Sequence, residues 1–149
     1  MKRIHGFTLI EIILSIAVIA IISVFSFPFY SKLQNKTNFS DAVNQISFAI
    51  GKARDYTENG KGNSVWGLHI DNDQKIATLF KGDNFDTRDQ NFDEQITFPN
   101  VNIVGNFDNN SIVFLKDGTL SYDKSLSLSN DDGDSANITI SSKGIIATN

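Results

Sequence analysis

One carboxylate stands at the head of a long uncharged run. Glu11 is followed by residues 12–31, twenty positions without a charge. A carboxylate placed at the centre of a membrane costs about 2.5–3.5 kcal/mol, and less near the interface. Such a group needs a cation or a proton, so Glu11 is a candidate for charge pairing. Other residue types able to do chemistry are sparse. His5 and His69 are too few for a histidine-rich metal site, and His69 reads as a strand residue at the solvent or the sheet margin. There is no cysteine, hence no thiol nucleophile, cysteine-based metal site or disulfide framework. Gly60-Lys61-Gly62 lacks the third glycine of a dinucleotide fingerprint and follows a helix. Residues 62–67 hold one residue too many for a nucleophile elbow. No catalytic constellation emerges, and the chain is not expected to be an enzyme. In Asn130-Asp131-Asp132-Gly133-Asp134, the carboxylates of Asp131, Asp132 and Asp134 are weak candidates for calcium. Their spacing misses the calcium-loop pattern, and these residue types are ordinary in turns. A solvated hairpin turn is the expectation, without metal or other cofactor.

The elements that carry these residues follow from an uneven distribution of apolar side chains. Hydrophobic residues make up 40% of 149, yet the remainder of the chain is polar and rich in Asn, Asp, Ser and Gly. An apolar run of about 20 residues is long enough to cross a bilayer as a helix, whereas the apolar core of a secretory signal is about 7–15. Lys2 and Arg3 precede the run and Lys32 and Lys36 follow it, so flanking charge orients it only weakly, N-terminus inside. Three readings compete: a signal peptide cut after Val24-Phe25-Ser26, a plain anchor, or a leader followed by an anchor. Glu11 discriminates, because neither of the first two needs a carboxylate there.

Gly6-Phe7-Thr8-Leu9-Ile10-Glu11 resembles the processing motif of type IV prepilins, including the pseudopilins of type II secretion. The resemblance implies a leader over residues 1–6, cleavage between Gly6 and Phe7 by a membrane prepilin peptidase, and N-methylation of Phe7. It implies a transmembrane and assembly helix over residues 7–30, with Pro28 where many members of the family carry a helix-kinking proline. Glu11 then faces the new amine of a neighbouring subunit's Phe7. In a low dielectric that pairing offsets much of the cost of burying either charge. It also fixes axial register, as buried polar groups do in coiled coils.

Residues 31–60 continue as an amphipathic helix. Phe39, Val43, Ile46, Ile50 and Ala53 recur three or four apart, with Ala42 and Ala49 beside them, and Gly60 is a C-terminal stop. Beyond it, over residues 61–149, the period becomes two. Trp66, Leu68 and Ile70 share one face of a first strand, and Asp71-Asn72-Asp73 turns into a return strand with Ile76 and Phe80 alternating through Thr78. Residues 82–91 read as a polar loop. Further strands are expected at 95–98, 101–104, 111–115, 119–122, 125–129 and 137–142, with Ile145 and Ile146 closing the sheet. The fold class is α+β: a long N-terminal helix packed on an antiparallel β-sheet head. The run from Ile112 to Thr119 and the late Lys143-Gly144-Ile145 are similar to minor pilins and minor pseudopilins with a β-rich head.

The family resemblance makes the chain a structural filament subunit, a minor pilin or pseudopilin of a type IV pilus or type II secretion filament. Its partners are other pilin-like subunits, the prepilin peptidase and methyltransferase, and the membrane. It starts as a single-pass protein of the cytoplasmic membrane with the head outside, then enters an extracytoplasmic filament. A DNA-uptake or adhesive minor pilin is the first alternative, and a secreted β-rich protein with an ordinary signal peptide the second. Net charge is −4, and becomes −6 once Lys2 and Arg3 leave, with 11 Lys and Arg against 17 Asp and Glu. An acidic body does not suit nucleic acid, whose binding relies on cations that neutralise phosphates.

Overall fold

A computed structural model describes residues 7–149, except for the side chains of residues 24–29. The leader with His5 and Gly6, and the side chain of Pro28, lie outside the described residues, as does a kink at Pro28. The chain divides into two units, Met1–Lys36 and Thr37–Asn149.

Among the described residues the elements, in chain order, are a helix α1 (Leu9–Glu58) and eight strands. The strands are β1 (Trp66–Asp71), β2 (Ile76–Lys81), β3 (Glu94–Thr97), β4 (Val101–Gly105), β5 (Ser111–Val113), β6 (Lys124–Asn130), β7 (Ser135–Ile140) and β8 (Ile146–Thr148). Short 3-10 turns lie at Lys61–Asn63 and Gln90–Phe92. The α+β class therefore holds.

In the first unit, residues 12–23 of α1 carry no charge and expose apolar side chains on every side. Eleven large apolar side chains from Phe7 to Ile22 are 48–87% exposed. A helix that is hydrophobic all round belongs in a membrane or in the interior of a larger body. Ser15 and Ser23 do not disturb that surface. Ser15 Oγ donates to the Glu11 carbonyl at 2.7 Å and Ser23 Oγ to the Ile19 carbonyl at 2.8 Å, so both hydroxyls are satisfied within the helix.

In the second unit, residues 37–58 of α1 bury one stripe. Phe39, Ala42, Val43, Ile46, Ala49, Ile50 and Ala53 are all at most 7% exposed, the stripe expected from their spacing. The helix stops where the sequence puts a glycine. Gly60 takes a left-handed φ of 62°, which costs a residue without Cβ nothing. The Thr57 hydroxyl donates back to the Ala53 carbonyl and accepts from Trp66 N–H at 2.8 Å, joining the helix end to the start of β1.

The head contains two antiparallel sheets, where the sequence predicts one. Their orders are β3-β2-β1-β5 and β4-β6-β7-β8. Core faces of both join the helix stripe in one cluster: Trp66, Leu68, Ile70, Ala77, Leu79 and Ile112 from the first, Val101, Ile103, Leu126, Leu128, Ile138 and Ile140 from the second. β6 shows the period plainly, with Leu126 and Leu128 buried and Ser125, Ser127 and Ser129 exposed.

Two further expectations are corrected. The core face of β2 is Ala77 and Leu79, opposite Ile70 and Leu68, and not the face of Ile76 and Phe80. Phe80 is nonetheless fully buried, because the loop after β2 folds back and sets Phe85 edge-on to it at 5.4 Å. The rest of the loop is polar and mostly exposed, as the sequence predicts. Residues 119–122 form no strand; Leu120 is buried and its N–H donates to the Ser142 carbonyl. The open edge of β4 is closed by side chains. Asn72 accepts from Ile103 N–H at 3.0 Å and donates to the Ile103 carbonyl, standing in for a neighbouring strand.

Candidate functional site

The start of α1 is built by four consecutive residues. Thr8 is its N-cap and Glu11 its third residue, the spacing of a capping box. Glu11 Oε2 accepts from Thr8 N–H at 2.9 Å and from the Thr8 hydroxyl at 2.8 Å. Glu11 N–H lies 3.4 Å from Thr8 Oγ1, which accepts from it. A negative group here also complements the positive end of the helix dipole. One carboxylate oxygen is therefore engaged within the subunit, and among the described residues no cation pairs with Glu11. Phe7 precedes the box and is 87% exposed. Thr8 is the residue sequence reasoning missed; the T-x-x-E spacing was the signal that would have found it.

Of the other residues singled out by sequence, Trp66 is core, 1% exposed, as expected. Asp131, Asp132 and Asp134 lie on the β6–β7 hairpin turn. There Asp134 N–H donates to Asn130 Oδ1 at 2.8 Å, Asn130 Nδ2 donates to Asp134 Oδ2 at 3.0 Å, and Gly133 takes φ 90°. Among the described residues no group of three or more His, Asp or Glu is placed to hold a metal ion.

His69 is half-buried, not marginal. Its ring stacks on Phe85 at 3.7 Å and its Nδ1 lies 2.9 Å from Ser111 Oγ. This is no hydrolytic pair: Ser111 Oγ donates to the Asn109 carbonyl at 3.1 Å, and the nearby Asp108 is taken by Tyr122 and Lys124. Burial holds the His69 pKa below its usual 6.5, and the Arg88 charge adds to this, while Asp71 and Asp86 pull the other way. The neutral ring is thus favoured in the fold, so the stability it contributes is present above the unfolded value and is lost as pH falls through the folded one. The melting temperature is expected to drop as pH falls through about 6.5 and below. A His69→Gln chain should show a flatter profile over that window; an unchanged slope in thermal melts would remove His69 as the cause.

Residues 1–27 match the family model of the prokaryotic N-terminal methylation motif. The match covers the N-terminal segment alone, including Gly6, Phe7 and Glu11. No curated protein matches it. Among solved structures, its fold is similar to that of the minor pseudopilin EpsH from the type 2 secretion system of Vibrio cholerae. That match has 12% identity and a TM-score of 0.56, and it covers 74% of this chain and 94% of the other. At such low identity the likeness concerns the fold. The chain thus combines the N-terminal methylation motif with a fold similar to that of a minor pseudopilin. Among the described residues no helix is long and apolar enough to cross a membrane; the uncharged run includes residues 24–29, whose side chains fall outside the description.

Proposed function

We propose that the chain is a structural subunit, a minor pilin or minor pseudopilin, of a type IV pilus or type II secretion filament, rather than an enzyme. The observation that carries this reading is the apolar sleeve of residues 7–22, exposed on every side and headed by the motif ending in Glu11. A sleeve of that kind has two sequential homes. Before assembly, residues 7–30 span the cytoplasmic membrane with the head outside the cytoplasm. After assembly they pack among the same helices of other pilin-like subunits. A prepilin peptidase cuts between Gly6 and Phe7 and the new amine is methylated.

The geometry of Glu11 supports its part in assembly. The Thr8 contacts occupy Oε2 and orient the carboxylate, while Oε1 remains for the amine of a neighbour's Phe7. The apolar faces supply contact area without register, and the ion pair supplies register.

The deciding experiment is the intact mass and N-terminal peptide of membrane-extracted protein made alongside its native peptidase. The expected result is a chain that begins at N-methylated Phe7. Retention of Gly6 would make the sleeve an ordinary anchor, and a start near Phe27 would make it a secretory signal.

A further inference from the structure

β5 closes one side of the first sheet, and its outer edge is only partly engaged. Its register with β1 sets Leu68 opposite Ile112. The bonds that continue the ladder, Ile70 N–H to the Asn110 carbonyl at 2.8 Å and Phe114 N–H to the Trp66 carbonyl at 3.2 Å, fix which residues face β1. In an antiparallel pair inward and outward residues alternate. Ser111 and Val113 therefore direct their backbone groups away from β1. Ser111 N–H is taken by the Asp108 carbonyl at 2.9 Å and Leu115 N–H by the Thr119 carbonyl at 2.9 Å, so the free part of the edge is Val113, to whose N–H and C=O nothing bonds among the described residues. On β4, by contrast, the outward groups of Ile103 are both engaged by Asn72.

The β5 edge lines a cavity of about 440 Å³. One wall is residues 83–86 of the loop after β2, and the other is Ser121, Tyr122 and Lys124. Both walls are built without a ligand. Phe85 is held between His69 and Arg88, each at 3.7 Å from its ring. Lys124 lies 3.6 Å from the Tyr122 ring centre and 3.4 Å from Asp108, which also accepts from the Tyr122 hydroxyl. The lining includes three carboxylates, Asp83, Asp86 and Asp108, and two ammonium groups, Lys116 and Lys124. Asp83 and Asp86 have no ion-pair partner among the described residues.

We propose that this slot binds an extended segment of a different polypeptide, which adds as a strand to β5 and sets a lysine or arginine against Asp83 and Asp86. Strand addition supplies the main-chain bonds, and the walls supply selectivity. A second copy is a poor occupant. Two β5 edges paired antiparallel are related by a two-fold axis, and an acidic chain brings little to two unpaired carboxylates.

The probe is an acetylated and amidated pentapeptide, Thr-Val-Lys-Val-Thr, titrated into the full chain in nanodiscs and followed by backbone amide shifts. Binding near about 100 μM is expected, with the largest shifts at Val113 and Asp86. N-methylation of alternate peptide amides should weaken it at least about tenfold. Val113→Pro should do the same, because proline is tolerated where the N–H faces away from the sheet. Asp83→Asn with Asp86→Asn should weaken it several-fold and flatten its salt dependence. The N-methylated peptide needs no variant, so a misfolded Val113→Pro chain leaves the test intact. The proposal falls if the peptide does not bind by about 1 mM, if N-methylation changes nothing, or if the shifts map to β3 or β8. It falls equally if Val113→Pro dissociates a dimer of the chain, which would make a second copy the occupant. Neither result depends on filament assembly, since binding is read on the isolated chain.

Discussion

A Glu11→Ala chain should reach the membrane at normal abundance, unfold at the normal temperature, and fail to enter filaments. In the assembly proposed above, the Phe7 amine of one subunit and the Glu11 carboxylate of another are buried together. Removing one member of a buried pair leaves the other charge uncompensated, at a cost of about 3–5 kcal/mol. At 1.4 kcal/mol per tenfold, incorporation should fall at least about 100-fold. The capping box complicates this, because Glu11→Ala also removes the acceptor for Thr8 N–H and the Thr8 hydroxyl. Loss of a cap is worth only about 1 kcal/mol. Thr8→Ala isolates that part: it removes the hydroxyl and keeps the carboxylate, so it should lower incorporation by roughly fivefold. The measurement is the ratio of sheared filament to membrane pool in cells carrying the other subunits. Equal losses for the two variants would make Glu11 a helix cap and nothing more. Normal incorporation of Glu11→Ala would remove the inter-subunit pair altogether.

Local signals in the chain were legible and long-range ones were not. The helix stripe from Phe39 to Ala53 could be read because each residue reports its own burial at a fixed spacing, and Gly60 marks its stop with a φ that other residues avoid. β6 and β7 could be read because serines and asparagines alternate with leucines and isoleucines. The division into two sheets could not. β1 takes β5 as its neighbour, across more than forty residues and past β2, β3 and β4, and no period in the sequence encodes that choice. Phe85 and Phe92 sit among Asp and Asn, so the loop that covers Phe80 reads as solvated. The same holds for the site. Gly6, Phe7 and Glu11 form a contiguous motif and are visible in one dimension. The Val113 edge and its walls come from four separate stretches of chain, and only the fold brings them together.

Trp66→Ala should give the opposite phenotype to Glu11→Ala: little protein, and normal incorporation of what remains. Trp66 is 1% exposed and joins several elements at once. Its indole Nε1 donates to the Lys61 carbonyl at 2.9 Å, and its N–H donates to the Thr57 hydroxyl that ends the helix. The Tyr56 ring meets it edge-on at 4.8 Å and the Phe92 ring at 6.2 Å. Truncation to alanine removes the largest side chain of the core and costs about 3–5 kcal/mol. For a body the size of Thr37–Asn149 the melting temperature should fall by roughly 10–25 °C. Trp66→Phe keeps most of the apolar area but leaves the Lys61 carbonyl without its donor, and should cost about 1–3 kcal/mol. Far-UV circular dichroism on the full chain in detergent reads both. Melting within about 3 °C of wild type for Trp66→Ala would mean that β1 does not depend on this junction. The residue acts wholly in the second unit, so its loss lowers the supply of folded subunits, while Glu11→Ala lowers their use at full supply. Measuring abundance and incorporation together in both variants therefore separates folding of the head from assembly through the helix.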